Sequence, residues 1–129
     1  MEVKRIAGRK ERVDWQDFRQ VRDLLKKEEE LAKQQLRKRA LDKARKVAVL
    51  LKSQYGVEKV YLYGSLAWGK FGKGSDIDLL IVGFRGSNHF WRMQVEAEEI
   101  ASPFPVSIVC FEDALPPLRN RVLQEGVEL

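Results

Sequence analysis

Two short groups of residues in this 129-residue chain have the types and spacing needed to bind phosphate and metal. The pair Gly64-Ser65 follows an apolar run, and Asp76-Ile77-Asp78 follows ten residues later. Because side chains alternate along a strand, Asp76 and Asp78 should project from the same face of a sheet. Neighbouring carboxylates repel each other unless a cation lies between them, and such oxygen ligands suit Mg²⁺ or Mn²⁺. The spacing therefore predicts a divalent-cation site at Asp76 and Asp78.

The Gly-Ser pair has the properties of a phosphate-binding turn. Glycine lets the backbone approach a ligand closely, and N–H groups that open a helix can face an anion. The glycine-rich loop that follows carries Lys70, Lys73 and Ser75. We expect Gly64, Ser65, Lys73 and Ser75 to contact a phosphate group, with Lys70 as a further cation. The alternative for both lysines is that they are ordinary solvated loop residues.

The pattern Gly64-Ser65-x(10)-Asp76-x-Asp78 resembles that of the minimal nucleotidyltransferases, within the DNA polymerase beta-like superfamily. The resemblance spans residues 40–129. It implies an α+β fold in which helices pack on a small mixed β-sheet. It also implies an enzyme that transfers a nucleotide from a nucleoside triphosphate, ATP being the expected one, to a hydroxyl acceptor. Asp76 and Asp78 would then be the catalytic and metal-binding residues. The nucleotide would be bound by Gly64, Ser65, Lys73 and Ser75.

One position departs from the family pattern. Family members place a third carboxylate on the next strand, where this chain has Ser107. A neutral hydroxyl is a weak Mg²⁺ ligand and cannot act as a carboxylate base. Glu112 and Asp113 lie farther along and are poorly placed to substitute for it. We therefore expect triphosphate binding with slow or absent transfer, unless a partner chain completes the site.

Two other functions are open at this stage. The chain could be a catalytically impaired nucleotide-binding module that acts as the antitoxin-like partner of a HEPN-type ribonuclease, a pairing implied by the resemblance alone. A basic nucleic-acid-binding protein is the less favoured reading. Residues 1–53 hold 17 Lys and Arg against 9 Asp and Glu, whereas residues 54–129 hold 7 against 10. The basic excess thus lies away from the acidic motif, and a solvated helix is favoured over a nucleic-acid surface as its explanation.

Composition places the chain among charge-rich globular proteins, with 44% hydrophobic and 33% charged residues. No apolar run approaches the ~20 residues needed to cross a bilayer, and the N-terminus has no signal-peptide pattern. The single cysteine, Cys110, excludes an internal disulfide. We therefore expect a cytoplasmic protein without a membrane segment.

The N-terminal third predicts a helical extension, residues 1–39, that precedes the transferase domain, residues 40–129. Residues 14–54 contain no glycine or proline, and apolar residues recur along them at helical spacing. A single helix of that length would extend ~60 Å at 1.5 Å per residue, so either it breaks within residues 26–33 or its first half projects. Exposed Trp15, Phe18 and Leu25 would then favour self-association through this helix.

The rest of the chain predicts alternating strands and helices. Strands are expected at residues 59–63, 76–82 and 106–111, and a short helix is expected around residues 66–68. A longer helix is expected at residues 88–101, and Pro116-Pro117 should open a last one.

Overall fold

The structure, a computed structural model, describes residues 15–129. The chain divides into two compact units, Met1–Gln34 and Gln35–Leu129. The sequence also predicts a ragged, charged terminus over residues 1–13 and a helix cap at Asp14, and both lie outside the described residues.

Helix α1 is continuous over Trp15–Tyr55, so the break considered for residues 26–33 is absent. It ends where the sequence predicts, because Gly56 adopts a positive φ of 65° and reverses the chain. The N–H of Val57 then donates a hydrogen bond to the carbonyl of Leu51 across the helix end (3.2 Å). Within the described part of the chain, no helix combines the length and the apolar character that crossing a membrane requires.

Four strands form one mixed sheet in the order β3-β2-β1-β4. Their bounds are Lys59–Tyr63 for β1, Ile77–Val82 for β2, Val106–Cys110 for β3 and Val127–Glu128 for β4. Strand β1 runs antiparallel to both β2 and β4, whereas β2 and β3 are parallel. The predicted α+β fold with a small mixed sheet is thus confirmed. Strand β4 was not predicted, because two residues carry no detectable alternation.

Three further helices connect these strands. Helix α2, Gly64–Ala67, joins β1 to β2, and it begins two residues earlier than predicted because Gly64 itself turns the chain. Helix α3, Phe90–Ala101, follows a 3-10 turn at Ser87–His89 and makes the crossover that parallel strands need. Helix α4, Pro116–Glu125, follows a second 3-10 turn at Phe111–Asp113.

The larger core lies between one face of the sheet and helices α1 and α3. Alternate strand residues, such as Leu62, Leu79 and Ile108, point into it and are fully or almost fully buried. They meet the small and branched side chains of α1 and α3: Ala40, Ala44, Val47, Ala48, Leu51, Met93, Ala97 and Ala101. Burying a side chain such as Leu79 stabilises the fold by about 1.5–3 kcal/mol.

The opposite face of the sheet is covered by helix α4. Leu80 of β2 packs there with Val122 of α4, and Tyr61, Tyr63 and Val109 border this second cluster. Because side chains alternate along each strand, the residues two positions before Leu80 and Val109 lie on this same face. Those residues are Asp78 and Ser107, so the α4 face of the sheet carries the candidate site.

Candidate functional site

Gly64 and Asp78 lie against each other where β1 ends and β2 begins. Gly64 has a φ of +75°, a conformation that other residues adopt only with strain. A Cβ atom at this position would lie 3.2 Å from Cγ of Asp78 and would collide with its Oδ2. The backbone conformation therefore favours glycine here, and any larger residue would also have to displace the Asp78 carboxylate. The structure thus brings the Gly-Ser turn and the acidic motif into direct contact.

Negative charge is concentrated beside this turn. Asp76 is exposed and lies one residue before β2, whereas Asp78 is half-buried within the strand. Burial raises the pKa of Asp78 above its ordinary value of 3.8, and the charge of Asp76 raises it further. Tyr63, the register partner of Asp78 on β1, also has a raised pKa, first because of burial and then because of the Asp78 charge. A cation between the two carboxylates would offset this repulsion.

The carboxylates fit one hard divalent cation. Mg²⁺ is commonly held by one or two carboxylates while phosphate and water oxygens complete its shell. Among residues 15–129 there is no cluster of three or more His, Cys, Asp and Glu side chains that could hold a metal by themselves. Asp76 and Asp78 could therefore hold one cation jointly with a phosphate ligand.

The position expected to carry a third carboxylate is occupied by Ser107. Ser107 of β3 pairs in register with Asp78 of β2, so the two residues are direct neighbours on the sheet. Glu112 and Asp113 are exposed and belong to the 3-10 turn that follows β3. They are therefore not part of the strand in which a replacement ligand would have to lie.

Helix α2 places Ser65 immediately after Gly64. The N–H of Trp68 donates to the carbonyl of Gly64 (3.0 Å), and the N–H of Lys70 donates to that of Ser65 (2.9 Å). These bonds fix the turn while the first N–H groups of the helix have no partner within it. The hydroxyl of Ser65, which is half-buried, makes no side-chain hydrogen bond within residues 15–129. Ser65 is thus placed where it can donate to an incoming acceptor.

The loop between the two motifs is anchored at its centre by Phe71. This ring is buried and meets the ring of Phe104 edge-on, with 5.8 Å between centroids. The hydroxyl of Ser75 accepts a hydrogen bond from the N–H of Gly72 (3.1 Å), so Ser75 shapes the loop in addition to the nucleotide contact expected of it. Lys73, like Lys70, is exposed to solvent and can reach a ligand only through its flexible side chain.

Trp68 and Arg121 form a contact that the sequence did not reveal. The indole Nε1–H of Trp68 donates to the carbonyl of Glu125 (3.2 Å), which ties the turn to the end of α4. The guanidinium carbon of Arg121 lies 3.9 Å from the centroid of the same ring. Trp68 therefore packs against the end of α4, and these partners lie more than fifty residues away in sequence. No local spacing could have indicated them.

Two open cavities lie apart from the acidic motif. One of about 240 Å³ is lined by Tyr55, His89, Arg92, Glu96 and Gln54. The other, of about 400 Å³, also touches Tyr55 and is bordered by Glu58 and Arg85. His89 is exposed at the start of α3. Neither cavity includes Gly64, Asp76 or Asp78.

Comparison with known structures places the fold. A structure described as a minimal nucleotidyltransferase is 29% identical, with a TM-score of 0.58 over 69% of this chain and 92% of that one. A toxin–antitoxin structure with AMP-PNP is 22% identical, with a TM-score of 0.54 over 67% and 69%. A variant of the MntA–HpeT toxin–antitoxin is 18% identical, also with a TM-score of 0.54, over 67% and 70%. These last two show similarity of fold alone. No curated protein matches the sequence.

The family assignment follows from the sequence as a whole. The model of the family described as "Polymerase beta, Nucleotidyltransferase" matches residues 45–129. The matched region includes the Gly-Ser turn, the acidic pair and all four strands. The predicted domain start, residue 40, lies between the start of the compact unit at Gln35 and the start of this match. The chain therefore belongs to the polymerase beta-type nucleotidyltransferases and resembles their minimal members.

Proposed function

We propose that this protein binds a nucleoside triphosphate, with ATP the expected one, together with Mg²⁺ or Mn²⁺, and transfers a nucleotide to a hydroxyl acceptor. The observation that carries this proposal is the contact between Asp78 and Gly64. It joins a carboxylate pair suited to a cation and a glycine turn suited to phosphate, which are the two halves of one metal–triphosphate site.

Each motif residue has a separate part in binding. Asp76 and Asp78 would hold the cation, which when bound neutralises charge on the phosphates. Gly64 lets the backbone approach a phosphate without a side chain in the way, and Ser65 would donate its hydroxyl hydrogen to a phosphate oxygen. Lys70 and Lys73 would add positive charge from the loop.

Ser107 limits the chemistry that this site can perform. As the register neighbour of Asp78, it offers a hydroxyl where a carboxylate would accept a proton from the attacking group. We therefore expect the protein to bind the triphosphate but to transfer the nucleotide slowly or not at all.

The presence of Ser107 in place of a carboxylate also favours a second candidate, a nucleotide-binding protein that acts on a partner chain. A partner could supply the missing carboxylate, and two of the similar structures are of toxin–antitoxin proteins. The resemblance to small stand-alone family members points to a HEPN-type ribonuclease as that partner. The single cysteine, Cys110, is consistent with a reducing cytoplasm as the site of action.

Self-association through the first half of α1 is a separate proposal about partners. Trp15, Phe18 and Leu25 are exposed there, with 71%, 49% and 54% of their surface accessible. Basic residues at positions 19–27 precede the acidic run at 28–30. Two copies of this segment that pair antiparallel would bury the apolar side chains and bring the basic stretch of one near the acidic stretch of the other.

Calorimetric titration of the four nucleoside triphosphates, with and without Mg²⁺, tests the proposed site. We expect binding that requires the cation and that falls by at least about tenfold in Asp76→Asn. Mutating even the outer-shell partners of a metal ligand causes losses of that size. Asp42→Asn is the matched control, because Asp42 is exposed on α1 and pairs only weakly with Arg45 (3.6 Å). Equal, cation-independent binding by both variants and the native chain would refute the site.

Mass spectrometry separates the two candidate functions. Given Mg²⁺ and ATP, an active transferase should add the mass of AMP to a candidate acceptor and release pyrophosphate. A binding module should show the titration result alone, with no mass gain on any acceptor unless its partner chain is supplied.

A further inference from the structure

Helix α4 places the positively charged side chain of Arg121 at the edge of the candidate site. Its residue Val122 packs against Leu80, on the sheet face that also carries Asp78. Its end approaches β1, since a Cβ atom at Gly126 would lie 3.3 Å from the carbonyl of Leu62. The last turns of α4 therefore lie beside the end of the sheet at which the Gly-Ser turn begins.

Arg121, in these last turns, is held by two contacts. Its guanidinium lies over the Trp68 ring at 3.9 Å, and its Nε–H donates to a carboxylate oxygen of Glu125 at 3.2 Å. Among residues 15–129 its two Nη atoms have no hydrogen-bond partner. Arg119, two residues earlier, differs, because it donates to the carbonyls of Glu112 and Ala114. Arg121 thus has donors that the fold does not use.

Arg121 is connected to the acidic pair by consecutive contacts. Trp68, beneath the guanidinium, donates its backbone N–H to the carbonyl of Gly64 (3.0 Å). Gly64 in turn lies against the carboxylate of Asp78. Contacts through Trp68 and Gly64 therefore link the Arg121 guanidinium to the acidic motif by way of the turn that should receive the phosphates. A planar guanidinium matches phosphate oxygens in a bidentate way, and stacking on an aromatic ring limits its freedom before binding.

We propose that Arg121 binds the polyphosphate tail of the nucleotide and that Trp68 is the residue that positions it. This inference rests on the proposed triphosphate site, and it adds helix α4 to that site. It also assigns a role to Trp68, whose own side chain carries no charge. The ligand class is a nucleoside triphosphate, which Arg121 would recognise at its phosphates.

Substitution of Arg121 provides the primary test. In calorimetry with Mg²⁺ and ATP, Arg121→Gln should weaken binding by about 10-fold or more, the loss expected for a hydrogen bond to a charged group. Binding of adenosine, which has no phosphate, should be unchanged. Arg121→Lys should restore part of the affinity, because it keeps the charge but loses the fork and the stacking.

Arg92→Gln is the matched control. Arg92 makes the same kind of contact four residues apart on a helix, from Nε to an oxygen of Glu96 at 3.2 Å, but beside a cavity that excludes the acidic motif. Arg92→Gln removes one positive charge, as Arg121→Gln does, and it should leave the ATP affinity at the native value. Both arginines are largely exposed, so thermal unfolding should show that both variants fold.

Variants of Trp68 test its positioning role. Trp68→Phe keeps a ring for stacking and should retain most of the ATP affinity, whereas Trp68→Leu should lose affinity as Arg121→Gln does. Combining Trp68→Leu with Arg121→Gln should cause little further loss, because both changes remove the same contact. A merely structural tryptophan would instead lower the unfolding temperature and give additive losses.

The outcomes separate this inference from the function on which it rests. Native ATP affinity in Arg121→Gln, with binding lost in Asp76→Asn, would overturn the role of Arg121 and leave the proposed site intact. Equal losses in Arg121→Gln and Arg92→Gln would also overturn it, as an effect of net charge. If the native chain binds no triphosphate with Mg²⁺, both proposals fail together.

Discussion

Asp78 and Ser107 are paired in register across strands β2 and β3, and both belong to the sheet face covered by α4. Ser107→Asp would therefore place a third carboxylate beside the existing pair. In the absence of metal we expect lower stability, because like charges would stand on adjacent strands. With Mg²⁺ or Mn²⁺ we expect tighter cation binding and faster nucleotide transfer, measured as pyrophosphate release.

Ser107→Asn is the control for this change, since asparagine has nearly the shape of aspartate without its charge. It should neither raise the transfer rate nor make stability depend on the divalent cation. A folded, nucleotide-binding Ser107→Asp variant with no gain over Ser107→Asn would show that the missing carboxylate does not limit the chemistry.

Gly64→Ala should damage both the fold and the site. The positive φ of Gly64 alone is expected to cost about 1–2 kcal/mol for a residue with a Cβ atom. The new methyl group would also push the Asp78 carboxylate away, so cation-dependent ATP binding should weaken. Chemical denaturation and calorimetry measure the two effects.

Gly72→Ala gives the comparison for that prediction. Gly72 lies in the adjoining loop, does not have a positive φ, and would place its Cβ atom at least 4 Å from its non-neighbouring atoms. Its stability and nucleotide affinity should stay close to native. A similar small effect for both glycines would contradict the close contact between Gly64 and Asp78.

The Cys110 thiol should react slowly with alkylating reagents near neutral pH. Burial raises its pKa above the ordinary value of 9.0, and the charges of Asp113 and Glu112 raise it further. Because the thiolate is the reactive form, the alkylation rate should increase only at alkaline pH. Replacing Asp113 with Asn should shift the rate profile to lower pH, since it removes one of the negative charges.

The same shift predicts how stability depends on pH. Between the unfolded and the higher folded pKa of Cys110, the native state binds more protons than the unfolded state. The contribution of this thiol to stability is therefore complete below pH 9 and decreases as the pH rises through its folded pKa. Cys110→Ala should lose less stability over that alkaline range. An identical alkaline loss in both proteins would contradict the raised pKa.

Self-association should depend on the apolar side chains in the first half of α1. Sedimentation velocity should show the native chain as larger than a monomer, with a concentration-dependent fraction. Phe18→Glu combined with Leu25→Glu should give a monomer, because charged side chains cannot be buried in a helix pair. Gln20→Glu, an exposed change on the same helix, should leave the association unchanged. A monomeric native chain at all concentrations would refute this partner.

The motif spacing predicted the fold because both motifs are local. Gly64-Ser65 had to follow one strand and Asp76-Ile77-Asp78 had to open the next, and β1 and β2 occur there, with β2 starting at Ile77. Helix α1 was predictable from its apolar repeat and from Gly56. The sequence could not predict whether residues 14–54 form one helix or two, because strongly charged residues are compatible with either result.

The features that sequence could not supply are all contacts between distant segments. The neighbour of Asp78 on β3 depends on strand register, which is set by packing of the whole sheet. The partners of Trp68 lie on α4, and β4 is too short to show a pattern. Ser75 was expected to meet a nucleotide, but its bond to Gly72 also gives it a part in the loop itself. Only coordinates distinguish such roles.

The buried ring of Phe71 anchors the spacer between the Gly-Ser turn and the acidic motif. The ring lies near the middle of the ten-residue spacer and leaves a short segment, or arm, on either side of it. Deleting one residue from the second arm would pull β2 along by one position and turn Asp78 towards the apolar side occupied by Leu79. The length of the spacer therefore determines which face of the sheet Asp78 occupies, and we expect insertions or deletions in it to be poorly tolerated.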